Sequence, residues 1–385
     1  MITRFIPGII RSLPLCFTHN LLSTSSSTSS VSRFCSPHPV HKLFQVDCNS
    51  VHSSCSSPSR HFFLQVRAIS GVTAMAAGFH PEMARQPPAE RPPTPPNGGK
   101  YKIAVCQVAV TSDKGSNIAH ARSVIEAAAD KGAQLIVLPE MWNCPYSNNS
   151  FPIYAEDIDA GFEASPSSAM LSEVACQKKV TIVGGSIPER SNGHLYNTCC
   201  VFDKDGHLKA KHRKVHLFDI DIPGKITFKE SDTLTPGDSL TIVDTDVGRI
   251  GVGICYDIRF PELAMLYAAR GVHIICYPGA FNMTTGPLHW ELLQKARAVD
   301  NQIYVATCSP ARDTSAGYIA WGHSTVVGPF GEILATTEHE ETTIIADIDY
   351  TEIDKRRLNM PIESQRRGDL YSLLDVTCHA SHNTF

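Results

Sequence analysis

The chain has 385 residues, a formal net charge of −4 and 13 cysteines. The slight acidic excess argues against a nucleic-acid-binding protein, and no apolar run reaches the ~20 residues that cross a bilayer. The cysteines are odd in number and lack paired spacing, which predicts free thiols in a reducing compartment and no disulfide framework.

Residues 1–75 differ in composition from the rest of the chain. They are rich in serine and threonine, and their first 70 residues contain five arginines but a single acid, Asp47. This composition predicts a disordered transit peptide that is cleaved, with the chloroplast favoured over the mitochondrion. The alternatives are a disordered regulatory tail or a secretory signal, although residues 5–15 are too interrupted by glycine, proline and arginine to form the apolar core of such a signal. A cytosolic form that starts at Met75 or Met83 also remains open.

Residues 76–100 are rich in proline and predict a linker that cannot build a core. One α/β domain, with mixed sheets covered by helices, is predicted for residues 101–385. Its predicted helices cover residues 117–131, 170–178, 261–270 and 287–300. Its predicted strands cover residues 103–110, 135–138, 180–186, 196–202, 208–212, 250–254, 273–277 and 302–307, with three more between 321 and 347.

The first candidate for chemistry is Glu140, which follows the buried strand 135–138 and a proline. Ligands bind at the carboxyl ends of strands in α/β sheets. The apolar neighbours Met141 and Trp142 would desolvate this carboxylate and raise its pKa, making it a usable base. The alternative is a helix cap or a surface acid.

The second candidate is Lys214, within the basic and apolar run of residues 211–218. A solvated basic edge strand is the alternative. However, residues 218–229 form a long apolar and acidic stretch without periodicity, which predicts a lid or binding loop. A lysine at the root of that loop is placed to face a pocket.

The third candidate is Cys255, at the end of a short glycine-containing strand and just before a helix start at Pro261. A sharp strand-to-helix turn presents a thiol beside backbone N–H groups, a setting that favours a nucleophile and can hold an oxyanion. The alternative is a buried structural cysteine. Together, an acid, a lysine and a cysteine at strand ends predict acyl transfer through a thioester.

Metal binding by histidines is the competing prediction for this region. The spacing of the histidines matches no zinc pattern, so the sequence predicts no metal site. The histidines considered are His212, His216, His273, His289 and His323.

Five segments accompany the three candidates in this order: LPEMWNCPY at 138–146, GGSIPE at 184–189, HLFDIDIPGKITF at 216–228, PGAFNMTTGP at 278–287 and AVDNQIYVAT at 298–307. Together they resemble the nitrilase superfamily of carbon–nitrogen hydrolases over about residues 102–375. The segments at 216–228 and 278–287 are similar to those of its omega-amidase branch.

The resemblance implies a four-layer α-β-β-α sandwich in a single globular domain, a homodimer and no cofactor. It implies that Glu140 is the general base, Lys214 the oxyanion-stabilising cation and Cys255 the nucleophile. Glu230 matches the second glutamate of the superfamily, and the backbone N–H of Tyr256 would be a further oxyanion donor. The implied reaction hydrolyses 2-oxoglutaramate and 2-oxosuccinamate to 2-oxoglutarate or oxaloacetate plus ammonia.

Such substrates carry a free carboxylate, which calls for a cation and hydroxyl donors in the pocket. Arg259 and Tyr146 are the candidates, and Thr284 and Thr285 could add hydroxyls. Arg259 could instead pair with Glu262 or Asp257.

Two other functions remain open. The first is a sister activity on a nitrile, an N-carbamoyl amide or a deaminated glutathione, since all need the same three groups. The second is a non-catalytic scaffold, against which the intact Glu140, Lys214 and Cys255 argue.

Overall fold

The computed structural model describes residues 80–95 and 98–377, so the predicted transit peptide of residues 1–75 lies outside the described residues. The strands are β1 (Arg85–Gln86), β2 (Lys100–Gln107), β3 (Leu135–Val137), β4 (Thr181–Ser191), β5 (His194–Phe202), β6 (Leu208–Arg213), β7 (Asp219–Ile222), β8 (Ile226–Lys229), β9 (Thr241–Thr245), β10 (Gly248–Val252), β11 (Ile274–Pro278), β12 (Tyr304–Cys308), β13 (Thr325–Val327), β14 (Ile333–Thr336), β15 (Thr342–Asp349) and β16 (Leu373–Leu374). The α-helices are α1 (Lys114–Asp130), α2 (Phe151–Tyr154), α3 (Pro166–Lys178), α4 (Pro261–Ala269), α5 (Gly286–Asn301) and α6 (Thr351–Asn359).

Two six-stranded mixed sheets form the body of the fold. The first has the strand order β15-β2-β3-β4-β5-β6, and the second has the order β14-β13-β12-β11-β10-β9. The central strands β2, β3 and β4 of the first sheet are parallel, as are β10, β11 and β12 of the second. The flanking pairs are antiparallel. The predicted mixed α/β fold is therefore confirmed.

Side chains alternate between two cores because successive strand residues face opposite sides of a sheet. Ile103 and Val105 of β2 pack in one cluster with apolar residues of the second sheet. Ala104 and Cys106, between and beside them, pack in another cluster with residues of α1 and α3. The thiol of Cys308 on β12 donates to the carbonyl of Cys106 at 3.2 Å, which ties the second sheet to the first. The first sheet thus has helices on one face and the second sheet on the other.

The linker prediction for residues 76–100 is wrong for residues 80–95, which pack against the domain. β1 pairs in parallel with β16 near the C-terminus. Arg85 is only 4% exposed, and its guanidinium donates to the carbonyl of Met265 on α4 at 3.1 Å. Proline discourages helices and central strands but does not prevent an extended segment from lying along a surface.

The predicted helices agree with α1, α3, α4 and α5 apart from shifted ends, and the predicted hairpin is β5–β6. The stretch 218–229, predicted as a loop, is instead the hairpin β7–β8, whose strands pair with each other and with no other strand of the described residues. The sequence analysis missed α2, β9, α6 and the two short strands β1 and β16. Within the described ranges, no helix has both the length and the apolar character needed to cross a bilayer.

Candidate active site

Glu140 lies in a tight turn directly after β3, and the turn is docked on β4. Its next residue, Met141, has a φ of 52° and donates its N–H to the hydroxyl of Ser186. The Glu140 carboxylate is fully buried. Its Oε1 accepts a hydrogen bond from the amide of Asn197 at 2.8 Å, and its Oε2 accepts from the N–H of Ala280 at 2.7 Å. These donors fix the orientation of both carboxylate oxygens.

Lys214 immediately follows β6 and is also fully buried. Its Nζ lies 2.9 Å from Oε1 of Glu140 and 3.0 Å from Oε1 of Glu230. Burial alone would lower the lysine pKa, but the two carboxylates outweigh it and hold the pKa well above its usual value. Lys214 is therefore a cation between two carboxylates at neutral pH.

Glu230 begins a short 3-10 turn after β8, at the base of the β7–β8 hairpin. Its Oε2 accepts from the N–H of Phe218 at 2.7 Å, and its Oε1 accepts from the hydroxyl of Tyr146 at 2.7 Å. Glu230 therefore joins the hairpin to Lys214, and it connects Tyr146 to the same buried cluster.

Cys255 follows β10 and begins a 3-10 turn that ends at Arg259, so the predicted strand-to-helix turn is confirmed in this tighter form. Its φ of 46° is rare for a residue with a side chain and marks a sharp change in chain direction. The thiol is buried, and the charges of Glu140 and Lys214 both act on it.

The environment of Cys255 keeps the thiol protonated. Burial raises its pKa well above the usual value, the Glu140 charge adds to this, and Lys214 opposes it. Burial likewise raises the pKa of Glu140, against the attraction of Lys214 and with the repulsion of Glu230. The arrangement therefore pairs a neutral nucleophile with a carboxylate whose affinity for protons is increased.

Asp257 forms a second buried network beside this cluster. Its Oδ2 accepts from the N–H of Ile254 at 2.8 Å and lies 3.1 Å from Nε2 of His212. Its Oδ1 accepts from the N–H of His216 at 2.9 Å and lies 2.8 Å from Nδ1 of the same residue. Since the two histidines flank Lys214 in the chain, Asp257 fastens the lysine segment to the cysteine turn.

Arg259 and Cys255 line the same narrow cleft, which in this structure is too tight to admit a water-sized sphere. Its guanidinium lies over the rings of Phe281 and Tyr256 and is 3.2 Å from Nδ1 of His289. Among the described residues, no carboxylate lies within ion-pair distance of Arg259, and its Nε is buried without a hydrogen-bond partner. The alternative pairing with Asp257 or Glu262 is thus not formed.

The remaining candidates occupy different places around the site. Tyr256 and Thr285 line the cleft with Cys255, while Thr284 does not. Tyr146 borders a larger cavity of about 530 Å³ that also contains Glu140. The position of Thr284 follows from the turn before α5, where the N–H groups of Thr284 and Thr285 both bond to Asn282 but only the second side chain is buried.

Four contributions were missed by the sequence analysis: Asn197, the N–H of Ala280, the stacking of Tyr318 on Tyr146, and the role of Asp257 as partner of the two histidines. An asparagine within the buried strand 196–202 is a polar exception that could have been noticed. Tyr318 lies in a stretch without regular structure, and no sequence signal places it.

Few side chains of the described residues are placed to hold a metal ion together. The histidines His212 and His216 are occupied by Asp257. Within the described residues, three possible ligand side chains come together only at Glu338, His339 and Glu340, on the protein surface. None of Glu140, Lys214, Glu230 and Cys255 belongs to that group.

Several known proteins are similar to this chain. The family described as carbon-nitrogen hydrolase matches residues 102–357. The chloroplastic omega-amidase of Arabidopsis thaliana is 70% identical over 311 residues, which cover 81% of this chain and 84% of that protein. The omega-amidase NIT2 of Homo sapiens is 54% identical over 273 residues, which cover 71% of this chain and 97% of that protein.

Solved structures give the same result at the level of the fold. Saccharomyces cerevisiae Nit3, described as a member of branch 10 of the nitrilase superfamily, aligns with a TM-score of 0.63 at 45% identity, covering 69% of this chain and 95% of Nit3. The NitFhit protein of C. elegans aligns with a TM-score of 0.64 at 33% identity, covering 71% of this chain and 67% of that one.

Proposed function

The chain belongs to the carbon–nitrogen hydrolase family, and from this we propose that it is an omega-amidase. It hydrolyses the terminal amide of 2-oxoglutaramate and 2-oxosuccinamate to 2-oxoglutarate or oxaloacetate plus ammonia. The observation that carries the proposal is the position of Arg259 beside Cys255, since no carboxylate of the described residues lies within ion-pair distance of this guanidinium. A substrate with an amide at one end and a carboxylate at the other matches a nucleophile and a cation in one cleft. The two named omega-amidases support this assignment.

In the first half of the reaction, the sulfur of Cys255 attacks the amide carbon while Glu140 accepts the thiol proton. The oxyanion that forms is stabilised by the ammonium of Lys214 and by the N–H of Tyr256 in the first turn after the cysteine. Collapse of this intermediate breaks the carbon–nitrogen bond, and Glu140 returns the proton to the leaving nitrogen. Ammonia departs and a thioester remains on Cys255.

In the second half, Glu140 accepts a proton from water as the water oxygen attacks the thioester carbon. The same two donors stabilise the second oxyanion. The carbon–sulfur bond then breaks, Glu140 returns its proton to the sulfur, and the product leaves as the dicarboxylate. Glu230 acts by positioning, because it accepts a hydrogen bond from the same Lys214 ammonium that binds Glu140.

The free carboxylate of the substrate is bound by Arg259, with the hydroxyl of Thr285 as a further donor in place of Thr284. Tyr146 acts indirectly through its hydrogen bond to Glu230. No cofactor enters this mechanism. Arg259→Gln is expected to raise the KM for 2-oxoglutaramate with a smaller effect on kcat; an unchanged KM would remove Arg259 from the carboxylate site.

The direct test is ammonia release by the purified full chain from 2-oxoglutaramate, beside a simple nitrile and an N-carbamoyl amino acid. Cys255→Ala is expected to abolish turnover, and Cys176→Ala is a matched control because Cys176 is an exposed free cysteine. Turnover of another compound in place of the oxo-amide would keep the chemistry and reject the substrate. No turnover of any of them would favour the non-catalytic scaffold.

We also propose that the protein forms a homodimer through the outer face of α5. Leu288 and Leu292, one helical turn apart, are 66% and 63% exposed. Large apolar side chains that share an exposed face are typical of an interaction surface. Sedimentation of Leu292→Glu should show a monomer where the wild-type protein sediments as a dimer; equal sedimentation of the two proteins would reject this surface.

The proposed location is the chloroplast, supported by the composition of residues 1–75 and by the name of the Arabidopsis relative. A fluorescent protein fused to residues 1–75 is expected to enter chloroplasts in leaf cells. Accumulation in mitochondria or cytosol would contradict this location without affecting the proposed reaction.

A further inference from the structure

Asn197 lies within β5 and is completely buried beside the reacting groups. Its side-chain Nδ2 donates to Oε1 of Glu140 at 2.8 Å, and its backbone carbonyl accepts from the N–H of Lys214 at 2.8 Å. One residue of the first sheet is therefore bonded both to the carboxylate of the base and to the backbone that carries the lysine.

The side-chain amide of Asn197 has no other polar partner among the described residues. Its Oδ1 is buried and accepts no hydrogen bond. Leaving a buried acceptor unpaired is unfavourable, and an apolar side chain of the same shape would avoid this cost. The bond from Nδ2 to Glu140 is thus the one interaction that this buried strand position gains from an amide.

The hydrogen bonds of Glu140 are divided unequally between its two oxygens. Oε1 accepts from Nδ2 of Asn197 and also from Nζ of Lys214 at 2.9 Å. Among the described residues, Oε2 accepts only from the N–H of Ala280, at 2.7 Å. Because each carboxylate oxygen has two lone-pair sites, Oε1 is fully occupied and Oε2 keeps one open site.

We infer that Asn197 is a positioning residue: together with Lys214 it occupies Oε1 of Glu140 and leaves Oε2 as the atom that accepts the thiol proton. In this step the S–H bond of Cys255 breaks, an O–H bond forms at Oε2, and the sulfur keeps the electron pair with which it attacks the amide carbon. The same Oε2 later gives the proton to the leaving nitrogen. The inference rests on the proposed omega-amidase function and deepens its mechanism. Asn197 acts through Glu140 and exchanges no proton itself.

The groups around Glu140 predict how the loss of this amide would appear. Burial raises the pKa of the Glu140 carboxyl, the ammonium of Lys214 lowers it, and the charge of Glu230 raises it further. The other titratable side chains that act on this site are neutral, because burial holds their pKa values well above the usual range: Tyr146, Tyr318 and Cys255. A hydrogen bond to a carboxylate stabilises its charged form, so removal of the Asn197 amide should raise the pKa of Glu140.

The test is the pH dependence of 2-oxoglutaramate hydrolysis by the purified full chain and by Asn197→Leu, which keeps the approximate side-chain shape and removes the amide. The acid limb of kcat is expected to move upward by about 1–2 pH units, the size of a hydrogen bond to a charged group. At high pH, kcat should stay about tenfold below wild type, because Oε1 then competes with Oε2 for the thiol proton. KM should change little, since Asn197 lines neither the cleft of Cys255 nor the cavity beside Glu140.

Asn301→Leu is the matched control. Asn301 is also a buried asparagine whose Oδ1 has no partner, but its Nδ2 donates to the carbonyl of Arg297 on α5. This variant should keep the acid limb of the wild-type protein. An unmoved limb in Asn197→Leu, or an equal shift in both variants, would overturn the inference and leave the proposed function standing. A purely structural side chain would lower stability or kcat without changing the pH at which Glu140 is protonated.

If the wild-type protein does not hydrolyse 2-oxoglutaramate, the proposed function fails, and alkylation of Cys255 by iodoacetamide then decides the role of Asn197 without a substrate. The alkylation rate, followed by mass spectrometry, should rise with pH at a higher midpoint in Asn197→Leu than in the wild-type protein; equal midpoints would reject that role. Asn197→Val, which suits a strand, replaces the leucine variant in both assays if the latter melts at a lower temperature than the wild-type protein.

Discussion

Asp257 takes no part in the proposed reaction, but its hydrogen bonds hold Lys214 and Cys255 in position relative to each other. It lies two positions after Cys255, and its partners His212 and His216 lie two positions on either side of Lys214. Its hydrogen bonds lower the pKa of this carboxyl strongly, against the effect of burial, so it is an anion at neutral pH. A single buried charge thereby fixes the distance between the segment of the lysine and the turn of the cysteine.

Replacing this charge tests that role. Asp257→Asn is expected to destabilise the protein by about 3–5 kcal/mol, because a buried ionic group loses its charge while its partners stay buried. It should also slow alkylation of Cys255 by iodoacetamide and lower kcat with little change in KM. Asp238→Asn, at an exposed aspartate, is the control. Stability and thiol reactivity equal to wild type would show that the network is dispensable.

A second prediction at this scale concerns the pH dependence of turnover. Glu140 must be unprotonated to accept the thiol proton, and burial raises its pKa above the ordinary value of a glutamate. Activity is therefore expected to fall as pH decreases through a value above 4.5, and Lys214 should impose no alkaline limit because its pKa is also raised. The pH at which activity falls on the acidic side reflects the whole cluster of interacting ionisable groups and not the pKa of one residue.

The measurement is kcat/KM against pH for the wild-type protein and for Glu230→Gln. Removing the Glu230 charge removes one contribution that raises the pKa of Glu140, so the acid limb should shift to lower pH. An acid limb at or below the ordinary glutamate range in the wild-type protein would contradict the role of Glu140 as the base.

At the scale of elements, the bulge in β4 explains why the Glu140 turn has its geometry. The register of the β4–β5 pair shifts between Val183 and Ser186. The N–H of Ser186 donates to the carbonyl of Pro139, and the indole of Trp142 donates to the carbonyl of Gly184. The turn after β3 is thus bonded to the bulged backbone of the neighbouring strand, which is how the GGS sequence contributes to the site.

Gly185→Ala is expected to disturb this arrangement. Gly185 has a φ of 64°, and an added methyl group would lie 2.3 Å from the carbonyl oxygen of Pro139. The steric clash and the unfavourable φ should together cost about 2–5 kcal/mol and displace Glu140, reducing turnover. The measurements are urea unfolding and kcat.

Gly193→Ala separates the two causes, because Gly193 has a φ of 80° but open space around it. It should cost only about 1–2 kcal/mol, the penalty of the left-handed conformation alone. If the two variants lost the same free energy of unfolding, the contact with Pro139 would contribute nothing to the effect of Gly185→Ala.

The elements of this fold were predictable to different degrees. Apolar runs and helix periodicity identified β3, β10, β11 and the long helices, because buried parallel strands are continuously apolar. The β7–β8 hairpin was not found, although its partly buried apolar residues alternate with exposed polar ones, which is a strand pattern that the sequence analysis did not recognise. The bulge in β4 was also missed, because nothing local in the sequence shows a pairing shift with a neighbouring strand.

At the scale of the whole molecule, the sequence predicted the reacting groups but not what surrounds them. Glu140, Lys214 and Cys255 could each be placed at a strand end from local pattern alone. Their contact depends on two sheets packing together, which local pattern does not show. Asn197, Ala280 and Tyr318 contribute through contacts across the fold, so only the three-dimensional structure could reveal them.

The segment of residues 80–95 is the clearest case of a long-range role hidden by composition. Glu90 pairs with both Arg249 of β10 and Arg270 after α4, while its N–H donates to the carbonyl of Ala269. β1 is bonded to β16, and the N–H of Asp375 donates to the carbonyl of Gln86. This segment therefore joins the region near the C-terminus to α4, the helix that follows the cysteine turn.

Two truncated proteins test this connection. Removal of residues 1–99 is expected to lower the melting temperature by several degrees relative to removal of residues 1–79, because hydrogen bonds and ion pairs worth about 3 kcal/mol in total are lost. Hydrogen exchange at β16 should also rise, since its only strand partner among the described residues is β1. Equal melting of the two truncated proteins would restore the linker assignment. If only the protein that lacks residues 1–99 lost stability, the proline-rich segment of residues 80–95 would be a structural part of the hydrolase domain.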